Sequence, residues 1–588
     1  MADIASELST AVGKAFEQFG LDPKLGQVRR ADRPDLADFQ CNGAMAAAKA
    51  VKRNPRELAG EIAPLIEAID GVDEVSIAGP GFLNIKMTGD ALAKQAIAVM
   101  ADAKAGGGSV DTPRRVMMDF GGWNVAKPMH IGHLRSTIIG DSLQRLFRFL
   151  GDEVTSDVHL GDWGLQMGLL ITEVQFEQPE LPYFDESFTG PYPTESPVSM
   201  ADLERLYPQA SAKSKEDEAR REAARTATAQ LQAGRPGYMA LWKHFCAVTQ
   251  VGLERECGDL GVRFDLWKGE SDAEKLIPEM VEDLKGRDIA ILDDGAWIIP
   301  VVREDDKKEM PPFMLVNSQG ASGYHATDLG TILDRKREND PELTLYIVDQ
   351  RQALHFEQVF RAADKAGYMP EDTLEHIGFG TMNGKDGKPF KTREGGVLKL
   401  HDFIQQAKDK ARERLEEAGI GEDWSDEERA DIIDKVALAA IKFADLSNVR
   451  TKNYVFDIDQ FMRFEGKTGP YLLYAVVRVK SLMRRAAEQG VEPGTIKIEA
   501  AEERALALQL DAFESALKLA YDNRTPHGIC EHAHALATAF SAFWSNCPIL
   551  KDGVEPEQRA SRLALAQATL KQLEVALNLI GIDTPERM

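Results

Sequence analysis

Residues 115–150, RVMMDFGGWNVAKPMHIGHLRSTIIGDSLQRLFRFL, decide the fold class of this chain. The first six residues form a short apolar run that predicts a strand, and a loop follows from Gly121 to His133. Apolar residues spaced three and four apart from Leu134 to Leu150 then predict a helix, which Gly151 ends. Strand, loop and helix in this order are typical of the opening of a doubly wound nucleotide-binding fold.

Two more apolar stretches, 343–348 and 376–379, are predicted strands with helical sequence between them. Because strands that alternate with helices favour a parallel sheet, we predict an α/β multidomain protein with a doubly wound, Rossmann-like sheet domain at 109–400. A stretch rich in Pro, Ser, Glu and Arg interrupts this domain and predicts a connective insertion at about 175–300, helical from Asp217 to Gln232.

The flanking regions predict one small and one helical domain. Residues 1–108 begin with helix-period apolar residues and continue with two alternating strands, 75–77 and 82–87, which indicates an α+β domain. The run Ala105-Gly106-Gly107-Gly108-Ser109 has the composition of a flexible linker and predicts a domain boundary. Residues 401–588 predict an all-α C-terminal domain, with helices at 430–444 and 559–580.

Composition bounds the class of protein. The 588 residues carry a net charge of −25, which excludes a histone-like or polybasic protein but leaves room for a nucleic-acid partner on a local basic face. No two of the five cysteines are three apart, so neither a redox CxxC pair nor a zinc ribbon is expected. The start lacks a basic and apolar leader, and no apolar run is long enough for a membrane span. We therefore expect a cytoplasmic protein with no membrane partner.

The pair His130 and His133 lies where the loop becomes the helix. That position places two imidazoles over a helix N-terminus, where the backbone N–H groups and the helix dipole favour phosphate. Gly132 between them allows close approach of a base or ribose. Two satisfied loop histidines are the alternative, but the preceding strand and following helix favour a nucleotide site.

A second segment, Gly384 to Gly396, is glycine-rich and carries four cations, Lys385, Lys388, Lys391 and Arg393. Cations in a mobile segment can follow the charge that moves onto a leaving pyrophosphate. An ordinary surface loop is the alternative. The presence of the paired histidines on the same sheet favours the phosphate interpretation.

These features together resemble the class I aminoacyl-tRNA synthetases, and within that class the arginyl-tRNA synthetase family. His130-Ile131-Gly132-His133 matches the first signature of the class, and the wider stretch 124–136 is similar to the arginine family in particular. So are 386–393 and the C-terminal residues 579–588. The resemblance spans the whole chain, including an N-terminal tRNA-contacting domain and a helical anticodon-binding domain at 401–588.

The resemblance implies ATP-dependent ligation of L-arginine to tRNA(Arg) through an arginyl-adenylate, with release of AMP and pyrophosphate. ATP with accompanying Mg²⁺, but no dedicated protein metal site, is expected, and the chain is expected to act as a monomer. The implied catalytic residues are Lys127, His130, His133, Lys388 and Lys391. The implied ATP-binding residues are His130, Gly132, His133, Gly378, Gly380, Met382, Lys388 and Lys391.

For arginine, the implied site combines acceptors for a planar cation that always carries its charge. Asp119, at the end of the first strand, would hold the α-amino group, and Asn124 would position the α-amino or carboxylate end. Tyr324 and Asp328 share a face if their segment is helical, so Asp328 would pair with the guanidinium while Tyr324 covers it. His130 and Gln352 complete the implied arginine-binding set.

Some details stay open at this level. The second class signature occupies 388–392 or is shifted by one residue, and the lysine before the first signature, Lys127, is expected to compensate for its degeneracy. Trp123 stands where similar sequences usually have a small residue or Pro, so it is expected to alter the mouth of the amino-acid pocket. Whether arginine is activated without tRNA, and which tRNA nucleotides are read, the sequence does not decide.

Three rival functions are compatible with parts of the sequence. A class I synthetase for glutamate or cysteine would share the fold, although the scattered cysteines argue against zinc ligands of the cysteine enzyme. A small-molecule adenylyltransferase would use the paired histidines but not the flanking domains. A tRNA-binding paralogue without catalysis would not need both histidines and the lysines.

Overall fold

The computed structural model describes residues 3–388 and 398–588. The chain divides into two compact units. The first contains the described residues up to Val110 together with Ala411–Ser447 and Asp459–Met588, and the second contains Asp111–Lys410 and Asn448–Ile458. No helix among the described residues is long and apolar enough to cross a membrane.

The second unit is built on a four-stranded sheet in which all neighbouring strands run parallel. Across the sheet the strands follow the order Leu374–His376, Leu343–Ile347, Arg115–Phe120 and Glu153–Asp157. Helices that alternate with these strands are Ile131–Leu150, Leu165–Glu177, Tyr324–Glu338 and Ala353–Ala366. The predicted α/β fold with a parallel sheet is therefore confirmed.

One strand differs from its prediction. The sequence pattern placed it at 376–379, but the strand is Leu374–His376. Beyond it the chain turns toward the 448–458 segment, where Met382–Asn383 pairs in parallel with Tyr454–Val455. The apolar pattern continues past the strand because Ile377 and Phe379 are also buried; Ile377 N donates to Tyr346 O at 2.8 Å, and Phe379 forms a bridge with Asp349.

Helix Ile131–Leu150 packs directly on strand Arg115–Phe120 because residue 140 is a glycine. A Cβ at Gly140 would lie 2.2 Å from the ring of Phe120, closer than any real contact. Ser136 adds a polar tie, since its hydroxyl donates to Ile347 O at 2.7 Å and accepts from Gly121 N at 2.9 Å. The loop after the first strand is thus fixed to the helix and to the neighbouring strand.

The insertion lies between the second and third strands in chain order. Its helices are Met200–Glu216, Glu218–Gln232, Pro236–Asp259, Glu270–Glu274 and Ile277–Gly286. Its three antiparallel strands are Ile291–Asp293, Ala296–Ile299 and Phe313–Val316. The helix predicted from Asp217 is confirmed, and Asp217 caps it by accepting from Ala219 N at 2.9 Å.

The first unit begins with a four-stranded antiparallel sheet. Its strands are Val28–Arg30, Phe39–Cys41, Val72–Ala78 and Phe82–Met87. The helices beside it are Ile4–Glu17, Gly43–Val51, Pro55–Glu67 and Gly89–Ala101. The predicted hairpin of the last two strands is confirmed.

The run 105–109 is not an extended linker. Ala105 to Gly108 are buried, and Gln572 Nε2 donates to Ala105 O at 2.8 Å. Ala105, Gly106 and Gly108 adopt positive φ, where glycine avoids the strain of a side chain. The glycines serve a tight packed turn, which composition alone does not distinguish from a flexible linker.

The rest of the first unit is helical. Its helices are Asp426–Leu446, Gly469–Glu488, Ala501–Asp511, Phe513–Asn523, His527–Asn546 and Pro556–Leu579. Leu400–Glu417 and Ile458–Phe461 contribute residues to both units. Both helices predicted in this region are confirmed, with bounds a few residues wider at most ends.

Candidate active site

The paired histidines form a stacked couple at the start of helix Ile131–Leu150. Their ring centroids lie 3.6 Å apart with 23° between the planes. His130 N donates to His133 Nδ1 at 3.2 Å, and Gly132 N donates to His130 Nδ1 at 3.1 Å. Each imidazole is therefore fixed through its Nδ1 atom.

This bonding determines which nitrogen carries the proton. Burial, followed by the charge of Lys127, lowers the pKa of His130, and burial with the charges of His130 and Lys127 lowers the pKa of His133 to about 3. Both rings are then neutral at pH 7. A neutral imidazole that accepts at Nδ1 carries its hydrogen on Nε2, so the couple presents two Nε2–H donors.

The helix N-terminus itself is used differently from expectation. Ile131 N donates to Leu398 O at 3.0 Å, Gly132 N to the His130 ring, and His133 N to His130 O at 2.8 Å. The backbone donors predicted to face phosphate are thus occupied within the protein. Among the described residues, no partner is bonded to the imidazole Nε2–H groups at this end of the helix.

Gly132 has a second steric reason to be glycine. A Cβ there would lie 2.8 Å from Cε1 and 2.9 Å from Nδ1 of His130. A side chain at this position would displace the first histidine of the couple.

Lys127 lies against the insertion. Its Nζ sits 4.9 Å from the ring centroid of Tyr207, on helix Met200–Glu216. Ala126 before it has φ of +64°, a left-handed conformation that is strained for a residue with a side chain. Ala126 N donates to Thr249 Oγ1 at 3.0 Å, which holds the strained turn from the insertion side.

Asp119 is paired inside the protein. Asp119 and Asp157 are register partners on adjacent strands, and Arg335 Nη2 bonds the first at 2.7 Å and the second at 2.9 Å. Burial raises the pKa of Asp119 in spite of Arg335, whereas Arg335 outweighs burial at Asp157 and lowers its pKa. An α-amino group at Asp119 would share this carboxylate with Arg335, which the sequence did not predict.

Tyr324 and Asp328 lie on one helix, as the sequence reasoning required, because the helix begins at Tyr324. His355 bridges them: its Nε2 lies 2.5 Å from Asp328 Oδ2 and its ring centroid 5.0 Å from that of Tyr324. Gln352 ends a short 3₁₀ turn and is exposed, and no contact of its side chain with these residues is seen.

The stretch that contains the implied ATP-binding residues Gly378, Gly380 and Met382 contacts the 448–458 segment. Arg450 Nη1 donates to Gly378 O, and Gly380 N donates to Arg450 O at 2.9 Å. Arg135 Nη1 donates to Gly380 O at 2.8 Å. These backbone groups are therefore already partnered, and Met382, which pairs with Tyr454, is buried.

Lys388 is exposed at the end of a tight turn, where its N–H donates to Asp386 Oδ1 at 3.0 Å. Lys391, with the rest of the second signature, lies outside the described residues. Trp123 does not border the pocket mouth: it is 1% exposed and packs on Phe264 and Trp267. Asn124 beside it forms a bridge with Gly161.

Sequence reasoning missed an acidic group beside Asp328. Burial, with the charges of Asp162 and Asp328, raises the pKa of Glu270. His159 lies in the same field, has φ of +49°, and both its ring nitrogens are buried without a hydrogen-bond partner among the described residues. Asp162, Glu270 and Asp328 come from distant stretches of the sequence, so residue spacing gives no signal for Glu270.

The parallel sheet and the histidine couple at the start of helix Ile131–Leu150 have the organisation of the catalytic core of a class I aminoacyl-tRNA synthetase. Residues 96–458 match the family model "tRNA synthetases class I (R), catalytic domain". Residues 2–87 match the arginyl tRNA synthetase N-terminal domain, and residues 472–588 match the DALR anticodon binding domain. The chain belongs to the arginyl-tRNA synthetase family.

Relatives along the full length agree. The chain is 57% identical over 590 residues to the arginine–tRNA ligase of Hyphomonas neptunium, with all of both chains covered. It is also 57% identical over 592 residues to that of Maricaulis maris, again with full coverage. The arginyl-tRNA synthetase structure of Thermus thermophilus superposes with a TM-score of 0.80 at 23% identity over both full chains, which supports the fold. The family resemblance drawn from the signatures is confirmed.

Proposed function

We propose that this chain attaches L-arginine to its cognate tRNA at the expense of ATP, through an arginyl-adenylate. The observation that carries the chemistry is the fixed histidine couple with two Nε2–H donors, together with Asp328, a carboxylate with no Lys or Arg ion-pair partner among the described residues. The full-length similarity to relatives named arginine–tRNA ligase supports the choice of amino acid.

In the first step an oxygen of the arginine carboxylate attacks the α-phosphorus of ATP, and the bond to the pyrophosphate oxygen breaks. No enzyme nucleophile is required, so catalysis rests on positioning and on stabilising charge. His130 and His133 donate to phosphate oxygens. Lys127, Lys388 and Lys391 balance the charge that develops on pyrophosphate.

The guanidinium of arginine pairs with Asp328, and the ring of Tyr324 covers it. Asp119 and Asn124 hold the α-amino and carboxylate end, and Gln352 closes the site. A pocket that hydrogen-bonds its substrate rejects analogues that lack those donors by roughly 10⁴–10⁵. Lysine would leave Asp328 underpaired, which removes the need for an editing domain.

In the second step the terminal ribose hydroxyl of tRNA attacks the adenylate carbonyl, and AMP leaves. Residues 1–108 contact the tRNA and residues 401–588 bind the anticodon region. On helix Gly469–Glu488, Lys480 is not a free charge for tRNA, since it pairs with Glu574 at 2.9 Å and Glu586 at 2.7 Å.

Mg²⁺ enters with ATP in this proposal. Across the described ranges, 3–388 and 398–588, no three metal-ligating side chains meet. Asp119 and Asp157 are paired with Arg335, and the histidine couple presents N–H donors, which do not bind a cation. The ligands that fit Mg²⁺ in this proposal are therefore the phosphate oxygens of ATP. That the chain acts as a monomer in the cytoplasm stays a prediction.

The test is ATP–pyrophosphate exchange with each of the twenty amino acids, with and without total tRNA. Exchange with arginine alone supports the function, and a requirement for tRNA adds coupling of activation to tRNA binding. Exchange with another amino acid would replace the pocket assignment. Absence of exchange under all conditions would favour a tRNA-binding protein without catalysis.

A further inference from the structure

The acids near the arginine pocket differ in what neutralises them. Asp119 and Asp157 share the guanidinium of Arg335, which is 2% exposed. The two carboxylates therefore share one buried cation. Asp328 has no cationic side chain of Lys or Arg within ion-pair distance among the described residues, and its partner is His355.

The His355–Asp328 contact has a definite polarity. His355 Nε2 lies 2.5 Å from Asp328 Oδ2, and His355 Nδ1 is buried without a hydrogen-bond partner in the described part of the chain. A charged imidazolium would leave an N–H buried at Nδ1 with no acceptor, which is costly. The neutral ring with its hydrogen on Nε2 avoids that cost and still donates to the carboxylate.

The surroundings fix the ring. The His355 side chain is 13% exposed, and the residue lies in the first turn of helix Ala353–Ala366. Its centroid lies 4.9 Å from that of His325, 5.0 Å from Tyr324 and 5.4 Å from Phe356. Three rings therefore restrict His355, so its donor keeps one direction.

We propose that His355 is a positioning residue for arginine specificity. By donating to Oδ2, the neutral imidazole orients the Asp328 carboxylate toward the substrate guanidinium. It leaves the full negative charge of the carboxylate in place. A lysine or arginine in its place would orient the same carboxylate but cancel it. The inference rests on the proposed function, because it assumes that Asp328 receives the guanidinium.

The test compares His355→Leu, which removes the donor, with His355→Gln, whose amide nitrogen reaches about as far as Nε2. Aminoacylation and exchange are measured with tRNA present, and KM is determined separately for arginine and ATP. We expect His355→Leu to raise the arginine KM about 10- to 100-fold, as for loss of a hydrogen bond to a charged group, with the ATP KM unchanged. His355→Gln should recover most of the affinity.

Two further measurements separate positioning from damage to the ring cluster. His325→Leu removes a neighbouring ring that does not bond Asp328, and its arginine KM should stay within threefold of wild type. Citrulline, the uncharged analogue of arginine, is used as a competitive inhibitor. His355→Leu should weaken arginine more than citrulline, because only arginine presents a cation to the misoriented carboxylate.

The outcomes are distinct. Wild-type enzyme that exchanges no pyrophosphate with arginine would refute the proposed function itself. Active wild type with an unchanged His355→Leu variant would refute the positioning role alone. Equal loss of arginine and ATP affinity, or equal weakening of arginine and citrulline, in both His355 variants would show a structural role and also overturn the inference.

Discussion

Gly132→Ala should reduce catalysis without reducing stability. The new Cβ would lie 2.8 Å from Cε1 and 2.9 Å from Nδ1 of His130, so the ring must move. Its movement breaks the 3.1 Å bond from Gly132 N and redirects the Nε2–H donor away from phosphate. Loss of one such transition-state donor costs about 2.7–4 kcal/mol, which corresponds to about 10²–10³-fold in rate.

The effect on folding is small because two contributions oppose each other. Gly132 is exposed and lies in the first turn of a helix, where Ala is favoured over Gly by up to about 1 kcal/mol, whereas loss of the cap bond to His130 costs about 0.5–2 kcal/mol. We therefore expect little change in melting temperature with adenylate formation about 10²–10³-fold slower. The assay is single-turnover adenylate formation with arginine, ATP and tRNA, alongside calorimetry.

A double-mutant cycle with His130→Ala tests the cause. If Gly132→Ala acts by displacing His130, its effect should vanish once the imidazole is absent. A Gly132→Ala enzyme with the wild-type rate would refute the steric argument. Additive losses in the double variant would mean that the methyl group obstructs ATP directly.

Three other outcomes follow from contacts described above or from buried groups. Arg335→Met should lower the free energy of unfolding by about 3–5 kcal/mol, because two buried carboxylates lose their cation, and a urea titration measures it. Tyr207→Leu should slow pyrophosphate exchange about 3- to 30-fold by releasing Lys127, whereas Tyr207→Phe should keep the wild-type rate. Burial raises the pKa of Asp511 to about 7, so the folded state binds a proton more readily than the unfolded state does. Stability should therefore fall as pH rises from about 4 to 7, and Asp511→Asn should flatten the melting temperature across that range.

The central sheet was predictable because its signals are local. The apolar run before Gly121 describes one strand, and the apolar spacing after His133 describes one helix, which ends at Gly151. The predicted strand at 376–379 is displaced from the observed strand Leu374–His376 because the apolar pattern reports burial, and Ile377 and Phe379 stay buried beyond the end of the strand.

The site was predictable only as far as its motifs reach. The histidine couple and Lys127 lie together within one signature, so one stretch of sequence contains them. Glu270 and His355 come from other elements, and only the folded chain brings them near Asp328, in the proposed arginine pocket. The occupied helix N-terminus was missed partly for the same reason, because Ile131 N donates to Leu398 from a distant segment, although Gly132 N and His133 N bond His130 within the motif.

The short segment Asn448–Ile458 has a practical consequence for protein engineering. It belongs to the second unit, whereas the chain directly before and after it belongs to the first unit. Its residues Arg450, Asn453 and Tyr454 bond the chain from Gly378 to Met382. A truncation after residue 400 would delete one side of the predicted nucleotide pocket, so the smallest contiguous fragment worth expressing for ATP binding must extend to Ile458.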